Sequence, residues 1–154
     1  MSPNAPARPA PAVHATTRSG VLTGYLLRAG TAAALIIDAA VHWRDAPFYD
    51  VTGQALSQGH LFRIQAAVAI VVAVAVLVWP RRLVWVIAFL VAASAVGAVV
   101  LYTYVNVGSL AGLPNMYEPS WGPPGKLLSA VAEGAGALFA LGGLAWTIHR
   151  GRRG

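Results

Sequence analysis

The chain has 154 residues, 57% of them hydrophobic and 10% charged, with a formal net charge of +6 at neutral pH. A soluble globular domain carries about 25% charged residues, so this composition excludes an ordinary aqueous fold and makes lipid the solvent. Cysteine is absent, which excludes disulfides, thiolate metal sites, iron–sulfur clusters and thiol redox chemistry.

Residues 1–20 hold Pro3, Pro6, Pro9 and Pro11 among alanines, with Arg8, His14 and Arg18, and show no apolar periodicity. They are expected to form a disordered, basic cytoplasmic tail. The first apolar run begins near Val21 and is long enough to cross a bilayer, which favours an uncleaved helix over a signal peptide. Four apolar segments follow, at about 22–43, 60–79, 83–105 and 126–149. Each approaches the ~20 residues needed to cross ~30 Å of hydrocarbon. Only Pro80, Arg81 and Arg82 separate the second from the third, a tight helical hairpin in which Pro80 lacks an N–H and disfavours helix before it. The connections at 44–59 and 106–125 are longer and rich in proline and interfacial aromatics. The predicted organisation is a tail at 1–20, a four-helix membrane domain at 21–150 and a basic end at 151–154. The fold class is all-α, a transmembrane four-helix up-down bundle.

Orientation follows from the basic residues. Arg8, Arg18, Arg28, Arg81, Arg82, Arg150, Arg152 and Arg153 flank one side of the predicted spans, and Arg44, Arg63 and Lys126 flank the other. The positive-inside rule then puts both termini in the cytoplasm of a multi-pass plasma-membrane protein. Tyr25, Trp79, Trp85 and Trp146 fall near the inner ends and Trp43, Tyr102, Tyr104 and Trp121 near the outer ones, as aromatic belts do. The basic charge is dispersed over a tail, a short turn and the C-terminus, and no nucleic-acid-binding motif is present. Anionic lipid on the cytoplasmic side is the expected partner, and nucleic acid is not.

The acids segregate oppositely: Asp38, Asp45, Asp50, Glu118 and Glu133 all fall on the outer side. Asp38 and His42 are one helical turn apart, and His60 and Arg63 share a face of the second helix with Gln65 a little deeper. Glu133 lies about 10 Å below Lys126 on one face of the fourth helix. A carboxylate near the bilayer centre costs about 2.5–3.5 kcal/mol, so Glu133 and Asp38 should face the bundle and find a partner. Arg63 is the expected one, its forked guanidinium bridging both acids while Gln65, Tyr102 or His60 satisfies the remaining lone pairs. Alternatively, Glu133 carries a proton. The candidate polar cluster is thus Asp38, His42, His60, Arg63, Gln65, Tyr102 and Glu133.

The cluster has a structural reading, a clasp that fixes helix register, and two functional ones. In the first, His42 and His60 face each other across haem b or a metal ion, with Asp38 orienting His42. In the second, Glu133, Asp38 and His42 form a short proton relay; no titratable residue continues it through the inner leaflet, where residues 84–100 are almost without polarity. Ala132, Gly136 and Ala140 repeat every fourth residue, as do Ala93 and Gly97, so close helix packing is expected, internally or against another membrane subunit. Met116, Tyr117, Glu118 and Trp121, set between prolines, are a candidate interaction surface or an interfacial anchor. The motifs GxxxxGK[ST], HExxH and GxSxG are absent, which lowers the odds of hydrolase or nucleotide chemistry.

The run Asp38-Ala-Ala-Val-His42, the stretch Gly59-His60-Leu-Phe-Arg63-Ile-Gln65 and Glu133 resemble small four-helix membrane proteins widespread in actinobacteria. The shape is also similar to DoxX-like proteins. The first resemblance covers the helical region and implies a fold without a catalytic role; the second is of shape alone. The function expected from the sequence is that of an accessory or interaction subunit of a membrane complex with no catalysis of its own. The alternative is a haem- or metal-binding redox protein with its site at the extracytoplasmic helix ends.

Overall fold

The computed structural model describes residues 14–50, 56–109 and 112–152, with side chains from residue 20 onward. Four helices carry the fold: α1 (His14–Asp45), α2 (Gln58–Val78), α3 (Arg82–Tyr104) and α4 (Lys126–Gly151). All four are long and apolar enough to cross a membrane. At ~1.5 Å per residue the shortest, α2 with 21 residues, matches the thickness of hydrocarbon. No extended strand occurs among the described residues. The expected tail lies outside the described residues as far as residue 13, but from His14 the chain is already helical. The last tail proline is Pro11, so nothing beyond it obstructs the turn that leads into the first span.

Each terminus has a local cause. Helix α1 stops at Asp45 because Ala46 precedes Pro47, and the chain tightens into a 3-10 turn at Ala46–Tyr49. Ser57 caps α2: its hydroxyl accepts from the His60 N–H at 3.1 Å, and the Ser57 N–H donates back to His60 Nδ1 at 3.2 Å. This is a capping box with histidine in the usual role of glutamate. Pro80 separates α2 from α3. Helix α4 starts after Gly125, whose φ of 93° is a left-handed conformation that L side chains rarely adopt. A Cβ there would also strike the Arg44 and Asp45 side chains, so this glycine lets the start of α4 rest on the end of α1.

Helix α1 packs on α2 and α4, and α4 packs on α3, while the α2–α3 contact is thinner. The seams are lined by small residues. Ala66, Ala69, Ala88 and Ala140 are fully buried, and a Cβ on Gly136 would stand 3.3 Å from that of Ala34 and 3.5 Å from that of Ala92. Without a hydrophobic drive between helices in lipid, such close approach supplies the dispersion contact that holds them. On α4 the expected Ala132, Gly136 and Ala140 are all buried. On α3 the buried stripe is Trp85, Ala88 and Ala92, one residue out of phase with Ala93 and Gly97, and Gly97 meets nothing within 4 Å. Trp85 sets that phase, because its ring seats directly on Gly143 of α4.

Candidate metal centre

Helices α1 and α4 bring Asp38, His42 and Glu133 together inside the bundle. They are 1%, 8% and 1% exposed, and each contributes a ligand-type atom within 4.8 Å of the others. The i, i+4 spacing of Asp38 and His42 puts His42 Nδ1 at 3.1 Å from the Asp38 backbone carbonyl and 2.8 Å from its Oδ1. That carboxylate oxygen is at ion-pair distance but off the line of a hydrogen bond, and it has no donor. With the Nδ1 proton on the Asp38 side, Nε2 bears the lone pair and faces Glu133 Oε1 across 4.0 Å. Asp38 Oδ2 accepts from Gln65 Nε2 of α2 at 3.1 Å. Both Glu133 oxygens are buried without any donor.

Of the residues expected to cluster, Asp38, His42, Gln65 and Glu133 do so. Arg63 does not bridge the acids. Its guanidinium forms a fork on Asp50, with Nη1 donating to Oδ1 at 2.9 Å and Nη2 to Oδ2. The reason is local, since Asp50 follows the 3-10 turn and lies at the mouth of the bundle, where Arg63 can stay hydrated while paired. The Arg63 guanidinium holds the Asp50 carboxyl down at about 2. His60 is exposed and its Nδ1 is committed to the α2 cap, so the structure does not set it opposite His42. The partner of His42 on α2 is instead Phe62, edge-on with ring centroids 4.8 Å apart.

A cavity of about 400 Å³ opens beside this cluster, walled by residues of α1, α2, α3, the start of α4 and the connection before it. His42 and Gln65 line it, and Asp38 and Glu133 are not among its walls. Leu61, Phe62, Ala95 and Val99 make an apolar wall, while Tyr102, Glu118 and Lys126 are polar groups on it. The 105–126 connection is pinned at this end: Lys126 Nζ donates to the Ser120 carbonyl at 2.8 Å and to that of Glu118, and the Glu118 N–H donates to the Tyr102 carbonyl at 3.0 Å. The expected interaction surface therefore splits, with Met116 and Glu118 facing the cavity and Tyr117 and Trp121 exposed. Sequence reasoning missed Asp50 and Ser57. A Ser-x-x-His spacing ahead of an apolar run was the available signal for the cap; nothing local announced the Asp50 contact.

Chemically, the arrangement offers one imidazole nitrogen and carboxylate oxygens, a donor set that suits zinc, manganese or ferrous iron. The 4.0 Å between His42 Nε2 and Glu133 Oε1 is slightly less than two metal–ligand bonds of about 2.0–2.2 Å laid end to end. His42 and Glu133 would hold an ion between them, and Asp38 offers a third ligand-type atom within 4.8 Å of theirs. No family model matches the chain, and no curated protein or solved structure is similar enough to it to count as a match.

Proposed function

We propose that the chain is a multi-pass plasma-membrane protein, both termini cytoplasmic and the helices running up and down, that binds a divalent transition-metal ion through Asp38, His42 and Glu133. The observation that carries this reading is Glu133, with a carboxyl group 1% exposed and two oxygens that meet no donor. A buried anion is neutralised by a cationic partner, a metal or a proton. The one arginine expected to serve is engaged by Asp50, and His42 can offer at most one positive charge to two carboxylates. A dication balances both and leaves the imidazole neutral to ligate. Of the three residues His42 alone lines the cavity, so access from it to the ion runs past the imidazole.

Support for the orientation comes from charge: all five acids sit on the side opposite eight of the eleven basic residues when the spans are laid antiparallel. An accessory role gains no separate support, because lipid suffices to cover the exposed apolar faces of the helices.

The test is thermal denaturation in mild detergent after treatment with a chelator, repeated with Zn²⁺, Mn²⁺ or Fe²⁺. A ligand at 100 times its Kd stabilises by about 2.7 kcal/mol, a shift of several degrees. At least one ion should produce that shift in the wild type, and Asp38→Asn, His42→Ala and Glu133→Gln should abolish it. If no ion shifts the wild type while Glu133→Gln melts at or above the wild-type temperature, the occupant is a proton and the metal reading fails.

A further inference from the structure

The end of the bundle away from the carboxylates carries a second cavity, of about 280 Å³, walled by Gly24, Arg28, Trp85, Trp146, Thr147 and Arg150 among others. None of the acidic residues lines it, and neither Arg28 nor Arg150 has a carboxylate partner among the described residues. Their guanidinium groups lie instead over aromatic faces, Arg150 at 5.0 Å from the Trp146 ring centroid and Arg28 at 5.6 Å from that of Tyr25. Stacking of this kind fixes the planar group while leaving its N–H edge free to donate. Two glycines one turn apart make room: a Cβ on Gly20 would stand 3.0 Å from Arg150 Nη2, and one on Gly24 3.4 Å from Trp146 Nε1.

Trp85 supplies the second, independent observation. It is 2% exposed, and its indole N–H has no acceptor. The benzo edge of the ring is seated on Gly143, and the residue forms part of the cavity wall. An indole nitrogen can only donate, and a buried donor without an acceptor costs about 1–3 kcal/mol. Arg28 and Arg150 on one cavity wall, neither with a carboxylate partner among the described residues, lack an acceptor with negative charge.

We propose that this cavity is an oxyanion site that takes a phosphate group, supplied by the headgroup of an anionic phospholipid. Phosphate fits because it accepts from several donors at once and bidentately from arginine. A basic pocket between membrane helices at the arginine-rich side meets such headgroups in its own leaflet. The inference uses the proposed orientation only to name the cytoplasmic leaflet, and it is independent of the metal centre at the other end.

Native mass spectrometry of the protein in mild detergent, doped with phosphatidylglycerol or with phosphatidylcholine, tests it, alongside melting curves with added inorganic phosphate. The expected result is one retained phosphatidylglycerol per chain, weak retention of phosphatidylcholine, and at least tenfold weaker retention in the double variant Arg28→Gln, Arg150→Gln. The variant is first required to melt cooperatively without lipid, so that loss of binding is read on folded protein. Stabilisation by inorganic phosphate equal to that by lipid would keep the oxyanion site and assign it to a soluble ligand. Equal retention of both lipids, or retention unchanged in the double variant, with no effect of inorganic phosphate, overturns the proposal.

Discussion

Gln65 and Asp50 are two single residues on which the polar end of the bundle turns. Gln65 holds one Asp38 oxygen at 3.1 Å and thereby leaves the other toward His42 and Glu133. Gln65→Leu should cost about 1–3 kcal/mol in thermal or denaturant unfolding, since a buried carboxylate loses its donor. It should also weaken metal-dependent stabilisation, because an unheld ligand is a poorer one. At Asp50 the effect is one of pH. Its folded-state value of about 2 lies below the ordinary 3.8 because Arg63 favours the charged form. A depressed carboxyl value contributes stability above the unfolded value that is lost as pH falls through the folded one. Melting temperature should therefore fall between about pH 4 and pH 2 by an increment that Asp50→Asn lacks, and the two proteins should run parallel above pH 5. The amplitude is small, as the pair is solvent-exposed. An identical acid limb in Asp50→Asn would show that the Arg63 contact contributes nothing. Asp38 and His42 could be read as neighbours from spacing alone, and Glu133 as inward-facing from the cost of burial. The partner of Arg63 could not, because hydropathy says nothing about where a loop carboxylate comes to rest.

At the scale of elements, two glycines of α4 make a matched comparison. Gly143 lies under the Trp85 ring, so Gly143→Ala forces overlap and should cost about 1–3 kcal/mol. Gly134 meets nothing within 4 Å, and Gly134→Ala should be neutral or stabilising by up to about 1 kcal/mol through helix propensity. Melting curves of the two variants in one detergent decide the matter; equal destabilisation would mean that α3 does not seat on α4 at Gly143. The cap of α2 gives a second comparison. His60→Ala should lower stability by about 1 kcal/mol through loss of the capping box, yet leave the metal-dependent shift intact, whereas His42→Ala should remove that shift. Loss of the shift in His60→Ala would restore the opposed-histidine arrangement expected from depth alone. The last three helices were readable to within two residues, because a membrane demands long apolar runs and proline punctuates them, whereas α1 begins at His14, eight residues before the expected start. The phase of α3 was not. A run with almost no polar residues has no amphipathic face, and its orientation is set by where one large ring, Trp85, finds a glycine.

For the whole molecule, charge segregation and the two cavities tell one story. The carboxylates, two of them paired with Arg44 and Arg63, and the larger cavity lie at one end, and Arg28 and Arg150 with the smaller cavity at the other. Because the chain has no cysteine, single cysteines can be introduced without background. Tyr117→Cys should react with a membrane-impermeant maleimide on intact cells, and Gly151→Cys only after permeabilisation. The reverse pattern would invert the orientation. The four spans and their charge asymmetry are composition-level features and need no alignment to be seen. The convergence of α1, α2 and α4 on one buried cluster needs the packing itself, since it joins residues 38, 65 and 133.

The most direct measurement is the metal content of protein purified without chelator and dialysed at neutral pH, determined by elemental mass spectrometry for the wild type, His42→Ala and Glu133→Gln in parallel. Wild-type protein should carry close to one divalent transition-metal ion per chain, and either variant well under one-tenth of that. Wild-type protein that stays metal-free after incubation with excess Zn²⁺, Mn²⁺ and Fe²⁺, or variants that retain the wild-type content, would contradict the metal reading.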